Sequence, residues 1–133
     1  MSMRGYVLEG NYLKLALGLH KDSKVSPQET ALALLTAIDC NELETADIIL
    51  DSAHSIDIDF TDFRCHTSLM RACYIGNVTL IEKIIARGAD VSYLGGKGPR
   101  YHTPLSIATS QQHLAACALL EKHGAKSYTR PII

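Results

Sequence analysis

An internal repeat is the feature that most constrains what this chain can fold into. The segment Thr67–Ala89 aligns without a gap with Thr103–Ala125, which lies 36 residues further along the chain. A weaker copy lies 35 residues upstream and begins near Leu34. A fixed period of this length is typical of proteins built from stacked supersecondary units, each of which buries its apolar face against the next. We therefore expect three successive copies of one unit.

The copy that begins at Thr67 predicts a helix, a tight turn and a second helix. Thr67 is a favourable N-cap, because its hydroxyl can accept a hydrogen bond from a free amide in the first helical turn. Gly76-Asn77 breaks the first helix and starts the second, and Gly88 supplies the left-handed residue that commonly follows a helix. Apolar residues recur at helical spacing: Leu69, Ala72 and Cys73 in the first helix, and Leu80, Ile81, Ile84 and Ile85 in the second. A unit of this size cannot bury both apolar faces alone and needs neighbours of its own kind.

The upstream copy follows the same plan with weaker signals. Ser26 to Glu29 forms a capping box with proline at the first helical position, and the helix that it opens is expected to reach about Ile38. A turn leads to a second predicted helix, Leu43–Leu50. The alternation of apolar and acidic residues over Ile56–Phe60 predicts a half-buried extended segment. Before this copy, residues 11–20 predict one helix that would cap the end of the core.

Three short motifs resemble landmarks of the ankyrin repeat. They are Thr103-Pro104-Leu105, Gly76-Asn77 and Gly88-Ala89-Asp90-Val91-Ser92, which correspond to that family's TPLH, GH and GADVN. The resemblance covers residues 26–126 and is most specific in the second and third copies. The chain departs from the pattern at three positions: Met70 and Ser106 stand where the family usually has His, and Gln112 replaces the mid-repeat Gly. These departures weaken the hydrogen bonding of the motif but leave the predicted fold unchanged.

The resemblance implies an all-α fold, an ankyrin-repeat solenoid of stacked helix-turn-helix units joined by β-hairpin-like loops. It implies one domain over residues 1–133, with an N-terminal cap (1–25), a degenerate repeat (26–60), a repeat (61–96) and a C-terminal capping repeat (97–133). The second hairpin-like loop is expected at Ser92–Tyr101, which carries three glycines and a proline. Loops on one face of a repeat protein vary between repeats and often bind partners.

Composition agrees with a helical core and gives no sign of a cofactor. The chain is 47% hydrophobic but only 6% aromatic, which suits packing by Leu, Ile and Ala between helices. The four cysteines form no CxxC pair and show no metal-ligand spacing, so we expect reduced thiols, no metal and no cofactor. Neither a signal peptide nor a membrane-spanning run is evident, and we expect a cytoplasmic protein.

Charge is distributed unevenly along the chain. No Lys or Arg lies between Val25 and Phe63, whereas nine acidic residues do: Glu29, Asp39, Glu42, Glu44, Asp47, Asp51, Asp57, Asp59 and Asp62. From Arg64 onward basic residues dominate. In a stack of repeats this becomes a charge gradient, which steers a partner and fixes its register more than it adds affinity. Nucleic-acid binding is disfavoured, because the basic half is sparse and the acidic half would repel phosphates. We expect a monomer, with salt-sensitive head-to-tail self-association left open.

By the resemblance, the function is non-catalytic: the chain binds another protein through its concave face and hairpin tips. An inhibitor or immunity-type protein is one specific form of this hypothesis. Tyr74 and Ile75 align with Ser110 and Gln111, at the variable end of each first helix, where exposed apolar residues suggest contact anchors. The candidate partner-binding residues are Asp59, Asp62, Phe63, Arg64, His66, Arg71, Tyr74, Ile75, Tyr93, Arg100, Tyr101 and His102.

A second sequence echo supports an alternative function. Residues 64–66 and 100–102 read Arg-Cys-His and Arg-Tyr-His, so equivalent Arg and His residues should line one edge of the stack. These residues either pin each loop to the helix that follows or form a basic strip for a carboxylate or phosphate of a partner. The alternative to a protein-binding module is a small thiol-dependent enzyme or ligand-binding protein that uses Cys65, His66 and His102. It predicts selective alkylation of Cys65 over Cys40 at neutral pH.

Overall fold

The computed structural model describes residues 26–53, 55–97 and 100–126. The predicted N-terminal cap at residues 1–25, with its helix over 11–20, lies outside the described residues.

The described part of the chain is mostly helical, as predicted. Its six helices are α1 (Pro27–Asp39), α2 (Leu43–Ser52), α3 (Ser68–Ile75), α4 (Val78–Ala86), α5 (Pro104–Ser110) and α6 (Leu114–Lys122). A two-stranded antiparallel sheet, β1 (Gly95–Lys97) and β2 (Arg100–His102), separates α4 from α5. Gly95 pairs with His102 and Gly96 with Tyr101, which confirms the hairpin predicted for this loop.

The helices pack as three successive pairs. Within each pair the two helices contact one another, and α1, α3 and α5 pack side by side in one row while α2, α4 and α6 pack in a second. One continuous core runs between the rows and draws on every pair. Its fully buried members include Leu34, Ile49, Leu69, Ile84 and Leu120. Each helix pair therefore packs against the next pair and buries apolar faces there that it could not bury alone.

The predicted helix starts are confirmed by their capping hydrogen bonds. The Ser26 hydroxyl accepts from the Glu29 amide at 3.1 Å, and the Thr67 hydroxyl accepts from the Met70 amide at 3.3 Å. At Thr103 the cap is reciprocal, since the Ser106 amide donates to the Thr103 hydroxyl at 3.1 Å and the Thr103 amide donates to the Ser106 hydroxyl at 2.9 Å. Each of these bonds satisfies an amide that has no partner within its own helix.

The turn between paired helices repeats one backbone conformation three times. Asn41, Gly76 and Gln112 occupy equivalent positions in the repeat, and their φ angles are 60°, 83° and 61°. This left-handed region is free of steric cost only for glycine, and asparagine tolerates it better than most other residues do. Gln112 is therefore the strained member of the three.

Replacing Gln112 with glycine is expected to stabilise the protein by about 1 kcal/mol, because the substitution removes the left-handed penalty at an exposed site. Urea unfolding of the two proteins measures the difference. Thr109→Gly is a control at an exposed position inside α5, where glycine should be destabilising, by about 0.3–0.5 kcal/mol from helix propensity. A loss of stability in Gln112→Gly would show that its side chain makes a compensating contact.

The segment Ile56–Phe60 differs from the prediction. The alternation of residues predicts an extended segment, but the chain forms a turn at Ile58-Asp59, closed by the Phe60 amide donating to the Asp57 carbonyl at 3.0 Å. Ile58 is buried, and its carbonyl accepts from the Ser68 hydroxyl at 3.4 Å. Within the described residues no strand lies beside this segment, so a local turn satisfies backbone groups that a sheet would otherwise pair.

Candidate functional site

A cleft of about 260 Å³ opens between α3 and α5, on the face of the row formed by the first helix of each pair. Four predicted site residues line it, and they come from α3 and from the residues that precede α3 and α5. The lining residues are His66, Met70, Arg71, Tyr74, His102, Ile107, Ser110 and Gln111. The cleft thus collects equivalent positions of two successive repeats.

The two histidines of the repeated Arg-x-His sequence meet at this cleft. The rings of His66 and His102 pack edge to face with their centroids 5.8 Å apart. They meet because each immediately precedes the N-cap threonine of its helix, and α3 and α5 pack side by side. This confirms the predicted row of histidines; the Arg100 side chain of the predicted row lies outside what the structure describes.

His66 is held in its neutral form at neutral pH. Burial lowers its pKa, and the charges of Arg71 and Arg64 and the His102 ring lower it further, while Asp62 acts in the opposite direction. Its Nδ1 atom is buried and has no hydrogen-bond partner in the described part of the chain. In the protonated ring, the N–H at Nδ1 would be buried without a hydrogen-bond acceptor in the described part of the chain, which is unfavourable.

Two arginine–aromatic pairs, joined through Asp39, extend from the loop before α3 to the cleft. Asp39, at the end of α1, accepts from Arg64 at 3.0 Å and from Arg71 at 2.7 Å. The Arg64 guanidinium lies over the Phe63 ring at 5.2 Å, and the Arg71 guanidinium lies over the Tyr74 ring at 5.7 Å. Both arginines are therefore neutralised within the chain, and each stacks on an aromatic ring.

Asp62 has an internal role that the sequence did not reveal. Its carboxylate accepts the backbone amides of Arg64 at 2.8 Å and His66 at 3.1 Å, and it also pairs with the Arg64 guanidinium at 3.1 Å. Burial alone would raise its pKa, but these donors outweigh burial and hold the pKa below its usual value. Asp62 thereby fixes the loop that places His66 and Arg64.

Three further candidate residues also have contacts inside the chain. Asp59 accepts from the Asp90 amide at 2.9 Å, and Ile75 and Tyr93 are half-buried against the core. The exposure that the repeat alignment predicts for Ile75 is therefore only partial, because the residue lies on the core side of the last turn of α3. Phe63, Tyr74 and Tyr101 are the exposed aromatic residues of the described ranges, at 88%, 53% and 44% exposure.

Sequence reasoning missed part of the cleft lining. Ile107 and Met70 are spaced as core residues and gave no separate signal. Ser110 and Gln111 did carry one, because they occupy the repeat positions of Tyr74 and Ile75. That equivalence could have placed them opposite the α3 candidates once α3 and α5 were known to be adjacent.

Most ion pairs of the described residues join the acidic half of the sequence to the basic half. Besides the Asp39 pairs, the Lys83 ammonium contacts Asp51 at 2.8 Å and Asp47 at 3.7 Å. The Arg87 guanidinium donates to the carbonyls of Leu50 and Ala53, both at 2.8 Å, at the end of α2. Exposed pairs of this kind contribute about 0–1 kcal/mol each, so their main effect is to align one helix pair on the next.

The cysteines differ in environment. Burial raises the pKa of Cys73 to about 12, and Cys117 nearby adds to the effect, so Cys73 is not a nucleophile at neutral pH. Cys65 is half-buried in the loop before α3, with a left-handed φ of 61° and its amide donating to the Asp62 carbonyl at 2.9 Å. Its proposed reactivity stays a prediction.

Stability is expected to decrease as the pH falls from about 7.5 to about 5.5, because of His66. Its pKa is lowered in the folded state, so the unfolded chain binds more protons below about pH 6.5 and folding is then opposed. Asp62 does not contribute in this range, since its lowered pKa affects stability only below about pH 4. Urea unfolding at the two pH values measures the effect.

The matched variants for this prediction are His66→Gln and His123→Gln. The first should flatten the pH dependence, and the second, at an exposed position after α6, should leave it as in the parent protein. An unchanged pH dependence in His66→Gln would mean that another group titrates in this range.

None of the helices in the described ranges combines the length and hydropathy of a membrane span. Within the same ranges, no group of three or more His, Cys, Asp or Glu side chains is arranged to hold a metal ion. No protein-family model matches the sequence, and a search of curated proteins finds no significant match.

Proposed function

We propose that this chain is an ankyrin-repeat module that binds another protein through the surface around the α3–α5 cleft. The repeat offset, the three stacked helix pairs and the hairpin before α5 support the ankyrin assignment. The role proposed is binding rather than catalysis, and an inhibitor or immunity-type protein is one specific form of it.

One observation carries the proposal. Of the three exposed aromatic residues of the described ranges, Tyr74 lines this cleft, Tyr101 directly precedes the lining residue His102, and Phe63 lies three residues before the lining residue His66. Aromatic residues and arginine are enriched at the centres of protein interfaces, and exposed aromatic groups that lie together mark contact sites. Here Arg64 stacks on Phe63 and Arg71 stacks on Tyr74.

Part of this surface is rigid before a partner arrives. Arg64 and Arg71 are each held by a carboxylate and by a ring, and Nε2–H of His113 donates to the Tyr74 carbonyl at 3.0 Å. Side chains that are already ordered lose less conformational entropy on binding, which favours affinity. The charged residues would fix the register of the partner, and the rings would supply most of the binding energy.

Replacing Tyr74 with alanine is expected to weaken partner binding about 30-fold or more, the loss that removal of a central aromatic anchor produces. The test is affinity capture from a lysate of the source cells with quantitative mass spectrometry, followed by titration of the purified partner. Phe63→Ala should weaken binding as well. Since Tyr74 is 53% exposed, helical content and thermal unfolding should change little.

Leu114→Ala is the matched control, because Leu114 is a large, 79% exposed apolar residue on α6, outside the cleft lining. It should retain full capture. Equal enrichment of the same partner by Tyr74→Ala and the parent protein would place the binding surface elsewhere.

A further inference from the structure

The cleft is enclosed mainly by rings and apolar side chains. Met70 is fully buried and Ile107 is 9% exposed, so they form the base, while the Tyr74 ring and the His66–His102 pair form the sides. A volume of about 260 Å³ lies below the range of roughly 300–1,000 Å³ that is typical of small-molecule sites. The cleft therefore suits one inserted side chain better than a cofactor.

The charged groups at the cleft are already paired. Arg71 is bound by Asp39 at 2.7 Å, so its charge is already balanced by a carboxylate of the chain. The neighbouring Arg64 is held between Asp39 and Asp62. His66 adds no fixed positive charge near neutral pH, because burial lowers its pKa. Charge complementarity thus favours an uncharged occupant over a carboxylate or a phosphate.

Besides the buried Nδ1 atom of His66, the cleft has an exposed polar group that is available to a ligand. The Ser110 hydroxyl already donates to the Ile107 carbonyl at 2.9 Å, whereas the exposed Gln111 side-chain amide makes no hydrogen bond within the described residues. An occupant with a ring for the aromatic walls and one hydroxyl for this amide would satisfy both features. Such rings pack well edge-on or offset against Tyr and His rings.

We infer that the cleft receives a tyrosine side chain of the partner protein, with its ring against Tyr74 and the His66–His102 pair and its hydroxyl at the Gln111 amide. This inference rests on the proposed function and specifies the chemistry of the partner. For this cleft, it takes the place of the hypothesis, drawn from the repeated Arg-x-His sequence, that a basic strip binds a carboxylate or phosphate of the partner.

The experiment is an NMR titration of the full chain at about pH 7.5 with 4-methylphenol, the side-chain analogue of tyrosine. Saturable shifts of the His66 and His102 ring signals and of the Ile107 methyl signals are expected, with a Kd on the order of 1–10 mM for so small a ligand. Sodium acetate and inorganic phosphate at the same concentrations should leave these signals in place. Shifts with acetate or phosphate, or none with 4-methylphenol, would overturn the inference.

Two variants and a control locate the binding. Tyr74→Ala should abolish saturation, Gln111→Ala should weaken it about threefold or more through loss of the hydroxyl contact, and Leu114→Ala should bind as the parent does. Equal binding to Tyr74→Ala would also overturn the inference. If 4-methylphenol fails to bind while Tyr74→Ala still abolishes partner capture, the tyrosine inference fails and the proposed function stands. If both results are negative, both proposals fail.

Discussion

Truncation of Leu69 or Ile84 to alanine is expected to lower the free energy of unfolding by about 2–5 kcal/mol in each case. Both side chains are fully buried, Leu69 on α3 and Ile84 on α4, in the core shared by successive helix pairs. Removal of three methyl or methylene groups there loses burial energy and leaves a cavity that close-packed neighbours fill only in part. The loss is a large fraction of the roughly 5–15 kcal/mol that stabilises a typical domain.

Urea unfolding followed by circular dichroism measures the effect, and Leu114→Ala provides the control. It makes the same chemical change as Leu69→Ala at a position that is 79% exposed, so its effect should stay within about 0.5 kcal/mol. Similar losses in Leu69→Ala and Leu114→Ala would contradict the assignment of Leu69 to the core.

The sequence predicts best those features that depend on residues close together in the chain. The capping threonines and Ser26 are recognisable because a hydroxyl must lie two or three residues before the amide that it accepts from. The turn after each first helix is recognisable because Gly76 satisfies a left-handed backbone locally. The repeat offset then extends both signals to Gln112, where the residue type alone would not have indicated the turn.

The sequence predicts less well what depends on contacts between repeats. The bridge from Asp39 to Arg64 and Arg71 joins residues 25 and 32 positions apart, and its geometry follows only once α1 and α3 are packed. The charge gradient inferred from the two halves of the sequence is also reduced by packing, because acidic residues of the first half pair with basic residues of the second half. Ile56–Phe60 was misleading because alternation reports burial of every second residue, which Ile58 satisfies within a turn as well as it would in a strand.

The candidate site combines a feature that the sequence predicts with one that it does not. His66 and His102 could be paired from the repeat alone, since equivalent positions in stacked units become neighbours. The neutral, ring-lined character of the cleft could not be predicted from the repeat. It depends on Asp39 and Asp62, which neutralise the arginines that make the sequence look basic around residues 64–71. A sequence reading of charge counts the cations, whereas binding depends on which of them remain unpaired.

Replacement of Gly76 by alanine is expected to destabilise the protein by about 2–5 kcal/mol, from two independent causes. Its φ of 83° is left-handed, which costs an alanine about 1–2 kcal/mol. A Cβ there would also lie 2.5 Å from Cγ of the His113 ring, and displacement of that ring adds about 1–3 kcal/mol of overpacking. The displacement would strain the His113 hydrogen bond to the Tyr74 carbonyl at the end of α3.

The two causes can be separated by urea unfolding of matched variants. Gly88→Ala has a similar φ of 91° but open space around the added methyl group, so it should show the backbone cost alone, about 1–2 kcal/mol. In a His113→Ala background, Gly76→Ala should likewise fall to about 1–2 kcal/mol, because no ring remains to be displaced. If Gly76→Ala costs the same with and without the His113 ring, the close approach of α6 to the end of α3 is wrong.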